Sequence, residues 1–327
     1  MNQVISRLRD HRFFLPLATA GLILLTLAAA AYLGPRASTR YVMLLVAAIG
    51  GVLLLRRPQW GLVLLIPVSL LVPIAIGTGT QTEVPISLLL LAGLLAIWLV
   101  DMVHRRALRL VPSPANMPLV ALIVVAGLAL VAGQAYWNPL VTTKSNFLLV
   151  QMAQWAVFIL SAGAFWLTAN LATDIRWLRR MVWPFLALGG LYMLCRLLPA
   201  GWNLAGRLFA RGSSGSLFWV WLVALAAGQV LFNRSLRRPL RLALVALLAA
   251  TFYVAWLQGR DWVSGWAPPL VAFLVILWLR SPRWGALTTA GLALGVQLAY
   301  PYFYENVVLS AMRSGSFLRL DAWRGII

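Results

Sequence analysis

The sequence is poor in the residues that build most metal and redox sites. It contains one cysteine, two histidines and seven acidic residues among 327. The single cysteine, Cys195, excludes an intrachain disulfide and a cysteine-based metal cluster. The few carboxylates form no recognisable pair of Mg²⁺ ligands, so we expect neither a metal ion nor any other cofactor.

Long apolar stretches make up most of the chain. Hydrophobic residues account for 62% and charged residues for only 10%, which excludes a soluble globular domain and indicates a polytopic membrane protein. The first stretch, from Phe13 to Leu33, is too long for the apolar part of a signal peptide and is read as a retained span. All spans should be helical, because backbone polar groups find no other partners in hydrocarbon. The predicted spans cover 13–33, 40–55, 60–78, 84–103, 117–135, 147–169, 181–199, 215–232, 240–258, 264–280 and 284–300. We therefore predict a single all-α transmembrane domain over 1–327, with about eleven helices.

Basic residues are distributed unevenly between the two sets of loops. The formal net charge is +20, and most of the 27 lysines and arginines fall in loops on the same side as the N-terminus. The positive-inside rule makes that side cytoplasmic. We expect the membrane to be the plasma (inner) membrane. Charge in short loops beside spans orients the chain and meets anionic lipid headgroups, so we expect membrane lipids, and not nucleic acid, as partners.

A second set of arginines falls on the outer (periplasmic or extracellular) face, where topology gives no reason for them. Guanidinium groups present a planar fork of donors that matches phosphate well. Both histidines, His11 and His104, are assigned to the cytoplasmic side, so none accompanies these arginines. The set consists of Arg207, Arg211, Arg260, Arg313, Arg319 and Arg324. It predicts an anionic ligand that carries phosphate.

The first outer segment is GRLFARGSSGSLFW, in which Arg207 and Arg211 are four residues apart. This spacing puts both on one side of a helical turn. Gly212 begins a glycine/serine run that leads into a span, and its backbone N–H groups could face an anion at the start of that helix. The same composition is equally typical of a flexible loop.

The second outer segment, LQGRDWVSGW, places Arg260 and Asp261 in a very short turn between two spans. A local surface ion pair would explain them without any ligand. The turn is flanked by Trp256, Trp262 and Trp266, which would hold the arginine close to lipid headgroups.

The third segment, RSGSFLRLDAWRG, contains Arg313, Arg319 and Arg324, with Asp321 between the last two. Apolar residues here recur at spacings of three and four, which predicts an amphipathic helix from about Ser316 in an outer loop that starts within 301–327. The sequence stops at Ile327 in the middle of this pattern. We therefore expect a truncated chain, inactive as residues 1–327 alone.

These segments resemble, in order and side, those of the O-antigen ligase and O-antigen polymerase-like superfamily of lipid-linked glycan ligases and polymerases. Arg211-Gly212 is similar to the family's arginine-glycine stretch before a span, Gly259-Arg260 to its short outer turn, and Arg319 with Trp323 to the stretch that opens its large outer loop. The match covers about residues 205–324, and the first half agrees only in hydropathy. The chain lacks the Asn or Asp-Pro that often follows the first stretch. It also has no histidine to map onto the one that the later loop often carries.

The resemblance implies a GT-C-like membrane glycosyltransferase. Its donor would be a glycan on a polyprenyl (undecaprenyl) diphosphate, and its acceptor a saccharide hydroxyl at the outer face, with inversion at the anomeric carbon. Arg211, Arg260 and Arg319 would then be catalytic, stabilising the diphosphate leaving group without a metal. The substrate-binding residues would be Arg207, Gly212, Arg313, Trp323 and Arg324. Asp261 and Asp321 are candidates for the general base, or are partners of the arginines.

Two other classes of protein fit the same residues. A transporter or flippase for anionic lipid-linked glycans would carry charge near mid-membrane, but only Arg196 and Asp101 come close, and both lie near span ends. A non-catalytic cell-envelope scaffold would leave the outer arginines individually dispensable. Within the enzyme reading, ligation and polymerisation both stay open.

Overall fold

A computed structural model describes residues 57–77, 83–104, 106, 110–135, 147–198, 201–210, 215–259 and 263–309. The chain divides into two compact units, Met1–Pro58 and Gln59–Ile327, and nearly all of the described residues belong to the second. The predicted spans 13–33 and 40–55, and the amphipathic helix expected from Ser316, lie outside the described residues.

Helices dominate the described part of the chain. They are α1 (Pro58–Leu71), α2 (Ile86–His104), α3 (Asn116–Ala135), α4 (Phe147–Leu171), α5 (Ile175–Leu197), α6 (Gly201–Leu208), α7 (Ser216–Phe232), α8 (Arg238–Gly259), α9 (Val263–Arg280), α10 (Pro282–Leu298) and α11 (Tyr300–Phe303). A short π-helix, Tyr304–Leu309, follows α11. The helices agree with the spans predicted from 84 onwards to within about two residues, except that α5 begins at Ile175, six residues before the predicted start at 181. The short helices α6 and α11 were not predicted.

The predicted span 60–78 was wrong at its end. Helix α1 ends at Leu71, because the residue before Pro73 is biased away from helical backbone angles. The chain then forms strand β1 (Ala75–Gly77), which pairs antiparallel with β2 (Glu83–Pro85), Ile76 opposite Val84. Among the described residues, this small sheet departs from the predicted all-α fold.

The protein is a membrane protein built on apolar helices. Among the described residues, the helices long and apolar enough to cross a membrane are Ile86–His104, Asn116–Ala135, Phe147–Leu171 and Arg238–Leu257, and Pro58–Leu71, Ser216–Phe232 and Gly265–Arg280 are shorter apolar helices. Helices α5 and α10 belong to neither group. Helix α3 buries none of its side chains, and Met117 is 79% exposed. Such an apolar surface is unfavourable in water and is accommodated by lipid.

One group of packed helices consists of α2, α3 and α4. Helix α4 contacts both of the others. Trp155 of α4 donates its Nε1–H to the carbonyl oxygen of Ile123 at 3.0 Å. A Cβ atom on Gly163 would lie 2.6 Å from a methyl group of Leu95, so glycine is what lets α4 approach α2 this closely.

The second group consists of α5 to α10, and α7 lies at its centre. Helix α7 packs against α5, α8 and α9, and its residues Leu222, Val223, Ala226 and Ala227 are fully buried. Helix α5 approaches closely at Gly189, where a Cβ atom would collide with the Leu222 side chain. Small residues at this contact permit the close helix packing typical of membrane interiors.

Hydrogen bonds between helices define one end of this second group. Arg280, at the end of α9, donates through Nε to the Leu231 carbonyl at the end of α7, at 3.1 Å. Arg241, near the start of α8, donates through Nη2 to the Asn233 carbonyl at 3.0 Å. We call this the basic end. Helices α5 and α8 run from it towards the other end, which is named the α6 end because α6 follows α5 there.

Candidate functional site

The structure describes one of the site residues predicted from sequence, Arg207. The others lie outside the described residues: Arg211, Gly212, Arg260, Asp261, Arg313, Arg319, Asp321, Trp323 and Arg324. The described helices nevertheless show the chain on both sides of the first two arginine-bearing segments and up to Leu309 before the third. The site is therefore built here from those anchoring contacts.

Arg207 lies on the exposed face of α6, in its last turn. The opposite face of this short helix is buried through Gly201, Ala205 and, just beyond its end, Phe209. These positions recur every four residues, so α6 is amphipathic. A side chain at position 201 would collide with the carbonyl oxygen of Cys195, so glycine is required for α6 to begin so close to the end of α5.

Aromatic contacts hold α6 against the rest of the group. The rings of Tyr192 and Phe209 meet edge to face with centroids 5.1 Å apart, and Tyr192 makes a similar contact with Phe218 of α7 at 5.5 Å. Such pairs contribute about 0.5–1.5 kcal/mol beyond the burial of their area. Tyr192 is 3% exposed and links α5, the end of α6 and α7. The exposed position of Arg207 is therefore fixed by packing on the other side of its helix.

Arg196 provides a further cation at the α6 end. Its guanidinium carbon lies 5.7 Å from the centroid of the Tyr192 ring, and Nη1 donates to the Tyr192 hydroxyl at 3.4 Å. Sequence analysis explained Arg196 only by its place near a span end. The sequence feature that could have revealed this contact is the four-residue spacing between Tyr192 and Arg196, because residues four apart on a helix are neighbours.

The segment with Arg211 connects two anchored points at the α6 end. The Ala210 N–H donates to the Leu70 carbonyl at 2.7 Å, which ties the residue before Arg211 to the end of α1. On the other side, the Phe218 N–H donates to the Gly215 carbonyl at 3.1 Å in the first turn of α7. Ala210 and Gly215, the described residues on either side of the first segment, thus both lie at the α6 end.

The other two segments also leave from the α6 end. Helix α8 ends at Gly259 and α9 begins at Val263, so Arg260 and Asp261 belong to the short connection between two packed helices. The rings of Trp256 and Tyr302 lie 6.2 Å apart, which places α11 beside the end of α8. The described chain therefore passes beside the end of α8 at Tyr302, before it continues to Leu309.

The basic end has its own cluster of arginine and tryptophan. The Arg180 guanidinium carbon lies 4.5 Å from the ring centroid of Trp177 and 5.4 Å from that of Trp60, and the two indoles meet edge to face at 5.5 Å. This cation–π contact joins the start of α1 to the start of α5. Trp60 of α1 therefore lies beside Trp177 and Arg180 of α5 at the basic end.

Helix α5 begins with a carboxylate cap at the same end. Asp174 accepts hydrogen bonds from the backbone N–H of Arg176 at 2.9 Å and from its Nε at 2.8 Å. The backbone hydrogen bond is the main cause that lowers the pKa of Asp174 below its ordinary value of 3.8. The cap is therefore ionised at neutral pH and satisfies an N–H that the first helical turn leaves without an intrahelical acceptor.

Histidine, cysteine and carboxylate side chains form no cluster suited to a metal ion within the described ranges. Asp261 and Asp321 lie outside those ranges, so metal-free chemistry stays a prediction.

No family model matches the chain, and no curated protein or solved structure is significantly similar to it. The family resemblance therefore rests on the three short arginine motifs, their order and their predicted side.

Proposed function

We propose that this protein is a membrane glycosyltransferase that moves a glycan from a polyprenyl (undecaprenyl) diphosphate to a saccharide hydroxyl. In this proposal it is a GT-C-like protein with about eleven spans, it lies in the inner membrane with its N-terminus in the cytoplasm, and it acts at the outer face. Ligation onto an acceptor glycan and polymerisation are the two forms of this reaction.

The observation that carries the proposal is the arrangement at the α6 end. Described residues next to the three arginine segments lie at this end: Ala210 bonds to Leu70, α8 ends at Gly259, and Trp256 contacts Tyr302. Arg207 is exposed on the helix that leads into the first segment. Arginines gathered at one end of a helical group would suit the two phosphates of a lipid diphosphate.

The chemistry follows from the charge that develops. The bond between the anomeric carbon and the diphosphate oxygen breaks, the acceptor oxygen forms a new bond to that carbon, and the diphosphate leaves with the electron pair. Arg211, Arg260 and Arg319 would stabilise this negative charge more in the transition state than in the ground state. Guanidinium stays protonated at any relevant pH, so no metal ion is needed. Asp261 or Asp321 would take the acceptor proton, or would hold the arginines in place.

The test is a transfer assay with single substitutions in the purified protein of complete natural length, because residues 1–327 alone are expected to be inactive. Arg211→Lys, Arg260→Lys and Arg319→Lys keep the charge but lose the paired donors, so we expect each to reduce turnover about a hundredfold. Arg283→Lys, on an exposed arginine at the basic end, is the matched control and should keep full turnover. Undiminished turnover in all three variants would favour a scaffold, and movement of the lipid across a bilayer without transfer would favour a flippase.

A further inference from the structure

An apolar groove runs along the contact between α5 and α8. Its volume is about 670 Å³, and only apolar residues line it. On α5 it extends from Trp183 to Leu197, a length of about 21 Å at 1.5 Å per helical residue. This exceeds the depth of one leaflet of the hydrocarbon core, about 15 Å. The groove is therefore long enough for a single acyl chain.

A second, polar cavity adjoins the groove at the basic end. It measures about 350 Å³ and lies between the start of α5 and the end of α7. Its polar side chains are Arg179, Gln229 and Asn233, and Trp183 lines both cavities. The apolar groove and a cavity that contains a cationic side chain thus share one lining tryptophan, Trp183.

The surroundings of the polar cavity favour an anion. Arg180 is the next residue along α5, and Arg241 holds the Asn233 carbonyl in place. Asp174, the nearby acidic residue, is already paired with Arg176 at 2.8 Å. The electrostatic potential at the polar cavity is therefore positive. The Asp174 carboxylate, which would otherwise repel an anion, is paired with Arg176.

From this juxtaposition we infer that the basic end holds an anionic phospholipid, with its phosphate at Arg179 and one acyl chain in the groove. The Asn233 amide donates to Gln229 Oε1 at 2.8 Å, which orients the Gln229 side chain, and the Gln229 amide provides N–H donors beside the arginine. A zwitterionic lipid fills the groove but brings its own cation to the polar cavity. A soluble phosphate leaves the groove unfilled. The site lies at the end of the helical group away from the arginine segments of the proposed transfer reaction.

Recognition of the lipid headgroup is tested by native mass spectrometry of the purified chain in neutral detergent. Phosphatidylglycerol should be retained more strongly than phosphatidylcholine. Arg179→Gln should weaken phosphatidylglycerol binding roughly fivefold, the effect of removing one cation near an anionic lipid. Arg283→Gln removes an exposed arginine at the start of α10, outside both cavities, and should change nothing.

Binding of the acyl chain in the groove is tested by a substitution that fills the groove. Gly190 lines the groove, and a Cβ there meets no atom within 4 Å, so Gly190→Leu occupies the groove without a backbone collision. Gly291→Leu on α10 starts from equally open space away from the groove and is the control. We expect the first variant to lose at least fivefold in affinity for both lipids and the second to match the wild type. Melting temperature and gel-filtration profile establish that each variant is folded.

Three results would overturn the inference. The lipids could bind equally well, Arg179→Gln and Gly190→Leu could behave as their controls do, or soluble glycerol phosphate could displace the lipid completely. The last result would mark a site for the headgroup alone.

Discussion

Two adjacent glycines of α5 provide a sharp test of the packing. Gly189 faces Leu222, with which a Cβ atom would collide, whereas a Cβ on Gly190 meets nothing within 4 Å. Leu222 is fully buried, so its side chain has little room to move away. An alanine at either position gains the same helix propensity, about 1 kcal/mol. The difference between Gly189→Ala and Gly190→Ala therefore isolates the packing cost, about 1–3 kcal/mol for an overpacked core.

The assay is thermal or denaturant unfolding of the purified protein in detergent. Gly190→Ala should unfold at or above the wild-type midpoint, and Gly189→Ala below that of Gly190→Ala. Leu222→Ala alone should cost about 2–5 kcal/mol by leaving a cavity. Combined with Gly189→Ala, it should cost less than the sum of the two, because the new methyl group occupies the space released. Equal midpoints for the two glycine variants, or strict additivity in the double variant, would refute the described contact between α5 and α7.

Three further predictions concern topology and the basic end. In intact cells a membrane-impermeant thiol reagent should label Ser310→Cys and not Ser6→Cys, and labelling of both would contradict the proposed orientation. Trp177→Leu should lower the melting temperature more than Arg180→Gln does, because both variants lose the cation–π contact and only the first also loses the buried area of the indole. The cation–π contact contributes up to about 1 kcal/mol at an exposed site. Equal decreases in melting temperature would show that the indole area does not contribute. Asp174→Ala should lower the free energy of unfolding at neutral pH, because the helix loses its cap. Since the pKa of Asp174 is lowered in the folded protein, the difference in free energy of unfolding from wild type should narrow only as the pH falls below 3.8 and vanish below the folded-state pKa. A pH-independent difference in unfolding midpoint would exclude the ionised cap.

Hydropathy was sufficient to predict where most of the described helices lie. A continuous apolar run needs a helix in lipid, so helix positions follow from composition alone. The end of α1 was missed because the apolar run continues past Pro73, while backbone sterics stop the helix and permit the β1–β2 pairing. Helix α6 was missed because its apolar positions are too few to form a hydrophobic run.

Packing partners could not be predicted from the sequence. Gly189 and Gly190 are indistinguishable in the printed sequence, yet one contacts α7 and the other lines a groove. The contact of Tyr192 with Phe209 depends on how α6 folds back onto α5. Of the predicted site, Arg207 lies in the described part of the chain, where it is exposed and its helix is anchored by packing on the opposite face. Its proposed role stays a prediction.

The most direct test of the central claim is the rate of glycan transfer with all divalent cations removed. The protein is purified in its complete natural length, since residues 1–327 alone are expected to be inactive, and is incubated with an undecaprenyl diphosphate glycan and a saccharide acceptor, with and without excess chelator. The product is measured by mass spectrometry. The proposed mechanism predicts product at the same rate in both samples, since arginines stabilise the leaving diphosphate. Product that forms only after a divalent cation is added would contradict that mechanism, and absence of product in both samples would contradict the proposed transfer activity.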